Sequence, residues 1–254
     1  MRAFGDLGPG GPNPGARGNP CRVELYDGEP AAEPAAGAMT LCRSWRNGDA
    51  QAELRCWSAG GTAVQLCGHG LLCTGVAWRL HGGALTALRM NGLRADFSRS
   101  EGIAWVGLPP LDTAPCAAPD WLSALFPSPP LRCAHAGGSD GYLVLEWPAG
   151  TDLRALPAPG PQLRAHTRRA LIATSPARGQ RGVDLQLRYF APQYDSAEDS
   201  ATGSAMRVLA GYWQARCGDA LKAWQCSPDG GLLLSRMDAG RCWIGGRVQL
   251  EAST

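Results

Sequence analysis

Two stretches of this 254-residue chain share one plan, in which a strand-like run leads through a turn of small residues into a helix. Residues 54–57 (LRCW) precede Gly68 by about the distance that residues 187–190 (LRYF) precede Gly203. Alignment of the two glycines pairs Cys67 with Thr202, His69 with Ser204, and Trp78 with Trp213. An internal repeat of this kind predicts two similar halves, each built from strands around one helix.

The repeated turns also predict a kind of site. Small residues such as Gly68, Gly70 and Gly203 let a ligand approach the backbone closely, and the first amides of a helix have no intrahelical partner. If the halves face each other, two positive helix ends of about half an elementary charge each converge on one cleft. Such a cleft stabilises a carboxylate or enolate without requiring lysine or arginine.

Composition excludes several classes of partner. With 24 basic and 22 acidic residues, the net charge of +2 gives no reason to expect nucleic acid or an anionic membrane as partner. The ten cysteines are scattered without a disulfide framework, and the first residues, MRAFGDLGPGG, lack an apolar secretory core. No apolar run approaches the roughly 18 residues of a membrane span. We therefore expect a cytoplasmic protein with reduced, buried cysteines.

The remaining pattern is mostly strands. Apolar periodicity predicts one helix over residues 71–80, closed by His81-Gly82-Gly83, and a second over 204–216. Short apolar runs bounded by turn residues predict strands elsewhere, including residues 62–67. The proline-rich segment 108–130 is interpreted as the crossing between an N-terminal domain, 1–115, and a C-terminal domain, 116–254, with the last strand free to return to the first domain.

Several motifs, taken in order, resemble the PhzF-like family of phenazine-biosynthesis-like isomerases, which are relatives of diaminopimelate epimerase and proline racemase. The most specific motif is EDSATGSA, residues 198–205, which resembles the family's EDPATGSA box with serine for proline. The others are Gly18-Asn19-Pro20, Leu66-Cys67-Gly68-His69, Arg188-Tyr189-Phe190-Ala191-Pro192, and the tail from AGYWQAR through QCSPDGG to GGRVQLE. The resemblance spans most of the chain.

This resemblance implies an α+β, diaminopimelate-epimerase-like fold, in which two pseudo-symmetric domains each curl a mainly antiparallel or mixed sheet around a central helix. It places the site between the two helix N-termini. The candidate catalytic residues are His69, Asp199 and Cys67. The candidate substrate-binding residues are Asn19, Gly68, Gly70, Thr202, Gly203 and Ser204. No cofactor or metal is expected, and a homodimer is left open because family members often pair.

The sequence departs from the family at the proton-shuttling glutamate. The corresponding stretch, residues 35–41 (AAGAMTL), has no carboxylate, and the nearby Glu33 is predicted to lie on the surface. General acid–base catalysis contributes roughly 10²- to 10⁴-fold to a rate, so this departure bears directly on activity. Two interpretations of Asp199 and His69 are open: they handle the proton, or Asp199 caps the second helix while His69 bonds to nearby backbone.

Cys67 is a second candidate base, because the proline racemase group uses the cysteine of a CGHG turn and a helix N-terminus favours thiolate. Its counterpart in the repeat is Thr202, a poor base, which argues against two-thiol racemisation and leaves a one-base reaction or a merely small turn residue. The spacing of Cys67, His69 and Cys73 offers no fourth zinc ligand.

These observations predict a cofactor-independent isomerase or epimerase that transfers a proton on a small carboxylate-bearing metabolite in an interdomain cleft. The alternative is a catalytically impaired binding or regulatory protein on the same fold.

Overall fold

The computed structural model describes residues 1–5, 16–178, 182–194 and 197–251. Its four α-helices within these residues are α1 (Gly68–Leu80), α2 (Leu122–Leu125), α3 (Leu163–His166) and α4 (Gly203–Cys217). The first eight strands are β1 (Arg2–Ala3), β2 (Asn19–Tyr26), β3 (Thr40–Arg46), β4 (Gln51–Trp57), β5 (Ala87–Met90), β6 (Leu93–Ser100), β7 (Ile103–Leu108) and β8 (Thr113–Cys116). The others are β9 (Arg132–Ala136), β10 (Tyr142–Glu146), β11 (Ala170–Pro176), β12 (Leu185–Phe190), β13 (Ala220–Gln225), β14 (Gly231–Asp238), β15 (Arg241–Gly246) and β16 (Val248–Gln249).

The strand topology repeats, which supports the internal repeat inferred from the sequence. From β2 to β7 the neighbouring pairs run parallel, antiparallel, parallel, antiparallel and antiparallel. The same series runs from β10 to β15. Helix α1 connects β4 to β5, and α4 connects the equivalent β12 to β13. At the outer edges, β16-β1-β2 and β8-β9-β10 are both antiparallel, so β16 occupies the position that β8 has in the other half. The domain boundary at 115/116 stays a prediction.

The two central helices are the predicted ones. Gly82 follows α1 with a φ of +78°, which confirms the glycine stop, and α4 ends before Gly218 at φ +88°. Residues 68–78 of α1 are all buried, because strands surround this helix. One continuous core encloses both α1 and α4. A second core fills the opposite face of the second half's sheet, where α2 and α3 cover it.

The halves join through an exchange of tryptophan and glycine between β7 and β15. Trp105 lies opposite Gly245, and Trp243 lies opposite Gly107 in the antiparallel register. A Cβ at Gly245 would lie 2.5 Å from the Trp105 ring, and one at Gly107 would lie 3.0 Å from the Trp243 ring. Arg236 packs its guanidinium over both indoles, at 4.6 Å and 5.4 Å from the ring centroids. Each ring therefore occupies the space that the opposing glycine leaves open.

Two predicted segments differ from the structure. Residues 62–67 were expected to form a strand but make only a single bridge, Ala63 to Trp57, and Asn91 donates its side-chain amide to the carbonyls of Val64 and Gln65 instead. The proline-rich crossing contains β8 and α2. Strand β8 tolerates Pro115 because it lies at the sheet edge, where one side needs no donor.

Substitution Gly245→Ala tests the junction. The added methyl group would overlap the Trp105 ring, so we expect the free energy of unfolding to fall by about 1–3 kcal/mol. Gly28→Ala is the matched control, since open space surrounds Gly28 and its φ is not positive. Urea denaturation of both variants measures the difference, and equal midpoints would show that the ring shifts without cost.

Candidate active site

The first residues of the two central helices are in direct contact. A Cβ at Gly68 would lie 2.7 Å from the Cα of Gly203, and one at Gly203 would lie 3.0 Å from the Cα of Gly68. Only glycine allows this approach, because any side chain would separate the helices. The N-terminal ends of α1 and α4, both positive, therefore meet at one point.

A cavity of about 650 Å³ opens at this contact. Its wall contains eight of the nine predicted site residues, namely Asn19, Cys67, Gly68, His69, Asp199, Thr202, Gly203 and Ser204. Gly70 is outside the wall, and its amide donates to the Cys67 sulfur at 3.3 Å. A Cβ on Gly70 would press against the sulfurs of Cys42, Cys56 and Cys67 at 2.6–2.9 Å. Gly70 therefore makes room for thiols rather than for a substrate.

Asp199 is oriented by hydrogen bonds to both of its oxygens. Asn19 Nδ2 donates to Oδ1 at 2.7 Å, and Thr202 Oγ1 donates to Oδ2 at 2.6 Å. The N-cap of α4 is Thr202 itself, so the capping interpretation of Asp199 is wrong. Burial raises the pKa of Asp199, although the charge on His69 and these hydrogen bonds oppose the rise. Asn19 uses its amide hydrogens for Asp199 and for the carbonyl of Ala201, so it positions the carboxylate.

The QCS segment fixes the loop that carries Asp199. Gln225 accepts from the Thr202 amide at 2.8 Å and donates to the Asp199 carbonyl at 2.6 Å. Ser227 donates to the Ser200 carbonyl at 2.6 Å. Hydrogen bonds therefore join the QCS segment to the EDSATGSA motif.

A buried ion pair anchors the start of the same loop. Arg188 Nε and Nη2 donate to the two oxygens of Glu198, each at 2.7 Å, and Nη1 donates to the Leu153 carbonyl at 2.9 Å. Both side chains are about nine-tenths buried. The bidentate geometry fixes the backbone one residue before Asp199.

Cys67 and His69 form an interacting pair at the start of α1. The Cys67 sulfur lies 3.5 Å from His69 Nδ1 and caps the helix through the Gly70 amide. Hydrogen bonds from Cys42 and Cys56, together with the charge on His69, hold the pKa of Cys67 well below its ordinary value despite burial. Burial alone would lower the pKa of His69, but the charge of Cys67 and its hydrogen bond, together with the charge of Asp199, outweigh burial and raise this pKa to about 9. Each group therefore favours the charged form of the other, thiolate for Cys67 and imidazolium for His69.

Sequence reasoning missed several residues of the cavity wall. Asp140 reaches it from the turn between β9 and β10, where Arg168 pairs with it at 2.7 Å. Tyr142 and Tyr189 supply an aromatic wall. Arg207 lies one turn after Gly203 on α4, and its position four residues into the helix was the available signal, since side chains lean toward the helix N-terminus.

The wall at the position expected for the family glutamate is formed by Ala38, Met39 and Thr40. Glu33 is exposed, as predicted, and is not part of the wall. The carboxylates of the described wall are Asp140, Glu198 and Asp199. Because arginines pair with the first two, Asp199 is the carboxylate best placed to accept a proton from a ligand.

The structure brings together a different set of cysteines from the spacing of Cys67, His69 and Cys73, at which no zinc site was predicted. The sulfurs of Cys42, Cys56 and Cys67 lie within 4.8 Å of one another, a donor set of the kind that thiophilic metal ions prefer. Cys73 and His69 lie outside this group. Within the described residues, no helix is both long and apolar enough to cross a membrane.

Solved structures define the class of the fold. The crystal structure of a PhzC/PhzF protein from Clostridium difficile superposes with a TM-score of 0.76 and 21% identity, covering 93% of each chain. Epimerase and proline racemase structures share the fold at TM-scores of 0.53 to 0.58. The fold is therefore diaminopimelate-epimerase-like, as the family resemblance implied.

Sequence comparison gives the family. Residues 122–234 match the model of phenazine biosynthesis-like proteins. An uncharacterized isomerase of Pseudomonas aeruginosa is 33% identical over 203 residues, 78% of this chain and 75% of that protein. An uncharacterized isomerase of Vibrio cholerae is 35% identical over 179 residues, 69% of this chain and 61% of that protein. The chain belongs to the phenazine biosynthesis-like (PhzF) family.

Substitution Glu198→Gln tests the anchoring ion pair. It leaves the buried Arg188 guanidinium without its counter-charge, so we expect the free energy of unfolding to fall by about 3–5 kcal/mol. Glu33→Gln removes an exposed carboxylate and serves as the control. Urea unfolding monitored by circular dichroism measures both, and equal midpoints would contradict the assigned role.

The lowered pKa of Cys67 predicts an unusual pH profile. Because a lowered pKa increases the fraction of thiolate near neutral pH, alkylation of Cys67 by iodoacetamide is expected to rise less steeply between about pH 7 and about pH 8.5 than that of an ordinary thiol. The exposed Cys217, whose pKa is raised, is the internal control and gains about tenfold per pH unit. In His69→Gln, alkylation of Cys67 should become more pH-dependent. Mass spectrometry of each peptide follows the rates, and identical profiles for the two cysteines would refute the thiolate.

Proposed function

We propose that this protein is a cofactor-independent isomerase or epimerase that transfers a proton on a small carboxylate-bearing metabolite. The observation that carries the proposal is the convergence of two helix N-termini, at Gly68 and Gly203, on a cavity that also contains Asp199 and His69. Family membership supports the reaction class. The cavity volume of about 650 Å³ suits a small metabolite.

The substrate carboxylate binds between the helix ends. The positive ends of the two helices would stabilise the additional negative charge that forms when a proton leaves the neighbouring carbon. Arg207 adds a half-buried cation to the same wall, where its Nε donates to the Pro109 carbonyl at 2.8 Å. Burial lowers its pKa, and none of the described carboxylates forms an ion pair with it. An acidic ligand would supply the missing counter-charge.

Asp199 and His69 handle the proton. Asp199 Oδ1 accepts from Asn19 and from the Ser200 amide. Among the described residues, Oδ2 accepts from Thr202 alone and retains a lone pair. The raised pKa of Asp199 makes it a stronger base than an ordinary carboxylate. His69 is protonated at neutral pH because the Cys67 thiolate lies beside it, so it can donate a proton in the return step. The Cys67 thiolate thus sets the charge of His69 and is the second candidate base.

The wall formed by Ala38, Met39 and Thr40 favours a second candidate function. Without a carboxylate at this position, the fold would bind its acidic ligand but turn it over poorly, as a binding or regulatory protein. A homodimer and a cytoplasmic location stay predictions under either function.

Exchange of substrate hydrogen with solvent separates the two functions. The full chain is incubated in deuterated water with a panel of amino and hydroxy acids, while calorimetry measures binding and NMR follows the Cα hydrogen. We expect exchange in at least one bound acid and a fall of about 10²- to 10⁴-fold in Asp199→Asn, because general-base catalysis contributes that much. A ligand that binds without any exchange would instead establish the binding function.

Asp140→Asn is the matched control, since it changes a wall carboxylate that Arg168 already neutralises. Exchange that survives Asp199→Asn but is lost in Asp140→Asn would show that the base was assigned to the wrong carboxylate. Loss in His69→Gln with retained binding would support the assignment of His69 to the return step.

A further inference from the structure

A cluster of buried thiols lies behind the start of α1. It contains Cys21, Cys42, Cys56, Cys67 and Cys73, half of the ten cysteines of the chain. Cys42 and Cys56 are directly opposite across β3 and β4, with their sulfurs 2.7 Å apart, and the Cys21 sulfur is 3.4 Å from that of Cys42. The sulfurs of Cys42, Cys56 and Cys67 lie within 4.8 Å of one another.

The fold itself does not require cysteine at these strand positions. In the internal repeat, Cys56 corresponds to Tyr189. Cys42 lies opposite Cys56, and Ile172 lies opposite Tyr189, so Cys42 corresponds to Ile172. In the same way, the parallel registers of β2 with β3 and of β10 with β11 place Cys21 and Tyr142 at corresponding positions of the repeat. Larger side chains fill the equivalent space behind α4, so the thiols are a property of this half alone.

Cys67 differs from its neighbours in access and charge. It lines the cavity, whereas Cys42 and Cys56 do not, so a small solute reaches its sulfur first. Its sulfur accepts from the Gly70 amide at the N-terminus of α1 and lies 3.5 Å from His69 Nδ1, an environment that favours thiolate, the form that reacts with peroxides. Cys42 and Cys56 are buried behind it, and such an environment favours the protonated thiol.

We propose that Cys67 is an oxidation site for small hydroperoxides and that Cys42 or Cys56 resolves the oxidised sulfur as a disulfide. In the first step the Cys67 thiolate attacks the outer peroxide oxygen, the O–O bond breaks, and the departing alkoxide or hydroxide takes a proton, so that sulfenic acid and an alcohol or water form. In the second step a neighbouring thiol attacks the Cys67 sulfur. Its proton leaves with the hydroxyl group as water, and the peroxide has accepted both electrons.

The local geometry permits the second step. Gly70 has no side chain, and a Cβ there would contact the sulfurs of Cys42, Cys56 and Cys67, so no side chain of Gly70 stands between them. A disulfide requires a sulfur separation of about 2.05 Å, which the three sulfurs reach by closing at most a few ångströms. The reaction removes the negative charge beside His69.

Peptide mapping after peroxide treatment tests the proposal without reference to catalysis. The full reduced chain is treated with hydrogen peroxide, the remaining thiols are alkylated, and the peptides are analysed by mass spectrometry before and after reduction with dithiothreitol. We expect a disulfide from Cys67 to Cys42 or Cys56 that dithiothreitol reverses. In a Cys42→Ala/Cys56→Ala variant, Cys67 should advance to sulfinic acid, which dithiothreitol does not reverse.

Cys217→Ser is the control variant, because it removes an exposed thiol and should leave the disulfide yield unchanged. Cys67→Ser should abolish disulfide formation within the cluster. The proposal is overturned if Cys67 stays fully alkylatable while Cys217 oxidises, or if a Cys42–Cys56 disulfide forms equally well in Cys67→Ser. If a cluster variant fails to fold, the wild-type peptide map alone still supports or overturns the proposal.

Discussion

The contact between Gly68 and Gly203 is the constraint on which the rest of the structure depends. Two positive helix ends repel each other and leave amides unsatisfied, so their contact is an unfavourable arrangement unless the surroundings or a ligand compensate. The surroundings compensate in part: the Cys67 thiolate and the Asp199 carboxylate both lie at these ends. The positive charge of the two helix ends is therefore only partly balanced at the cavity, and an acidic ligand would reduce the remaining repulsion.

The two halves share a topology but supply different chemistry to the cavity. The first half contributes a thiolate and an imidazolium at the start of α1, whereas the second contributes a carboxylate held by Thr202 before the start of α4. A symmetric pair of bases, such as two thiols, would suit a substrate approached identically from both faces. The observed difference suits a substrate whose proton leaves and returns at chemically distinct groups.

The sequence was sufficient for local patterns and insufficient for contacts between distant segments. The helices around Gly68 and Gly203 followed from periodicity, turn residues and the repeat. The position of Asp140 depended on the β9–β10 turn, in a region where proline concealed β8 and β9. Likewise, cysteines 14 residues apart, Cys42 and Cys56, became neighbours only through the β3–β4 register. The periodicity of the sequence does not indicate such pairings, because they are determined by tertiary packing alone.

The exchange of Trp105 and Trp243 for the opposing glycines has a mechanical consequence. Hinge motion between the halves would have to pull each indole away from the opposing glycine and from Arg236. The junction of β7 and β15 is therefore expected to resist such motion. Entry to the cavity consequently falls to its rim, the irregular segment 62–67 and the turn at 137–141. We therefore expect any movement that admits a ligand to occur in those two loops rather than as closure of one half on the other.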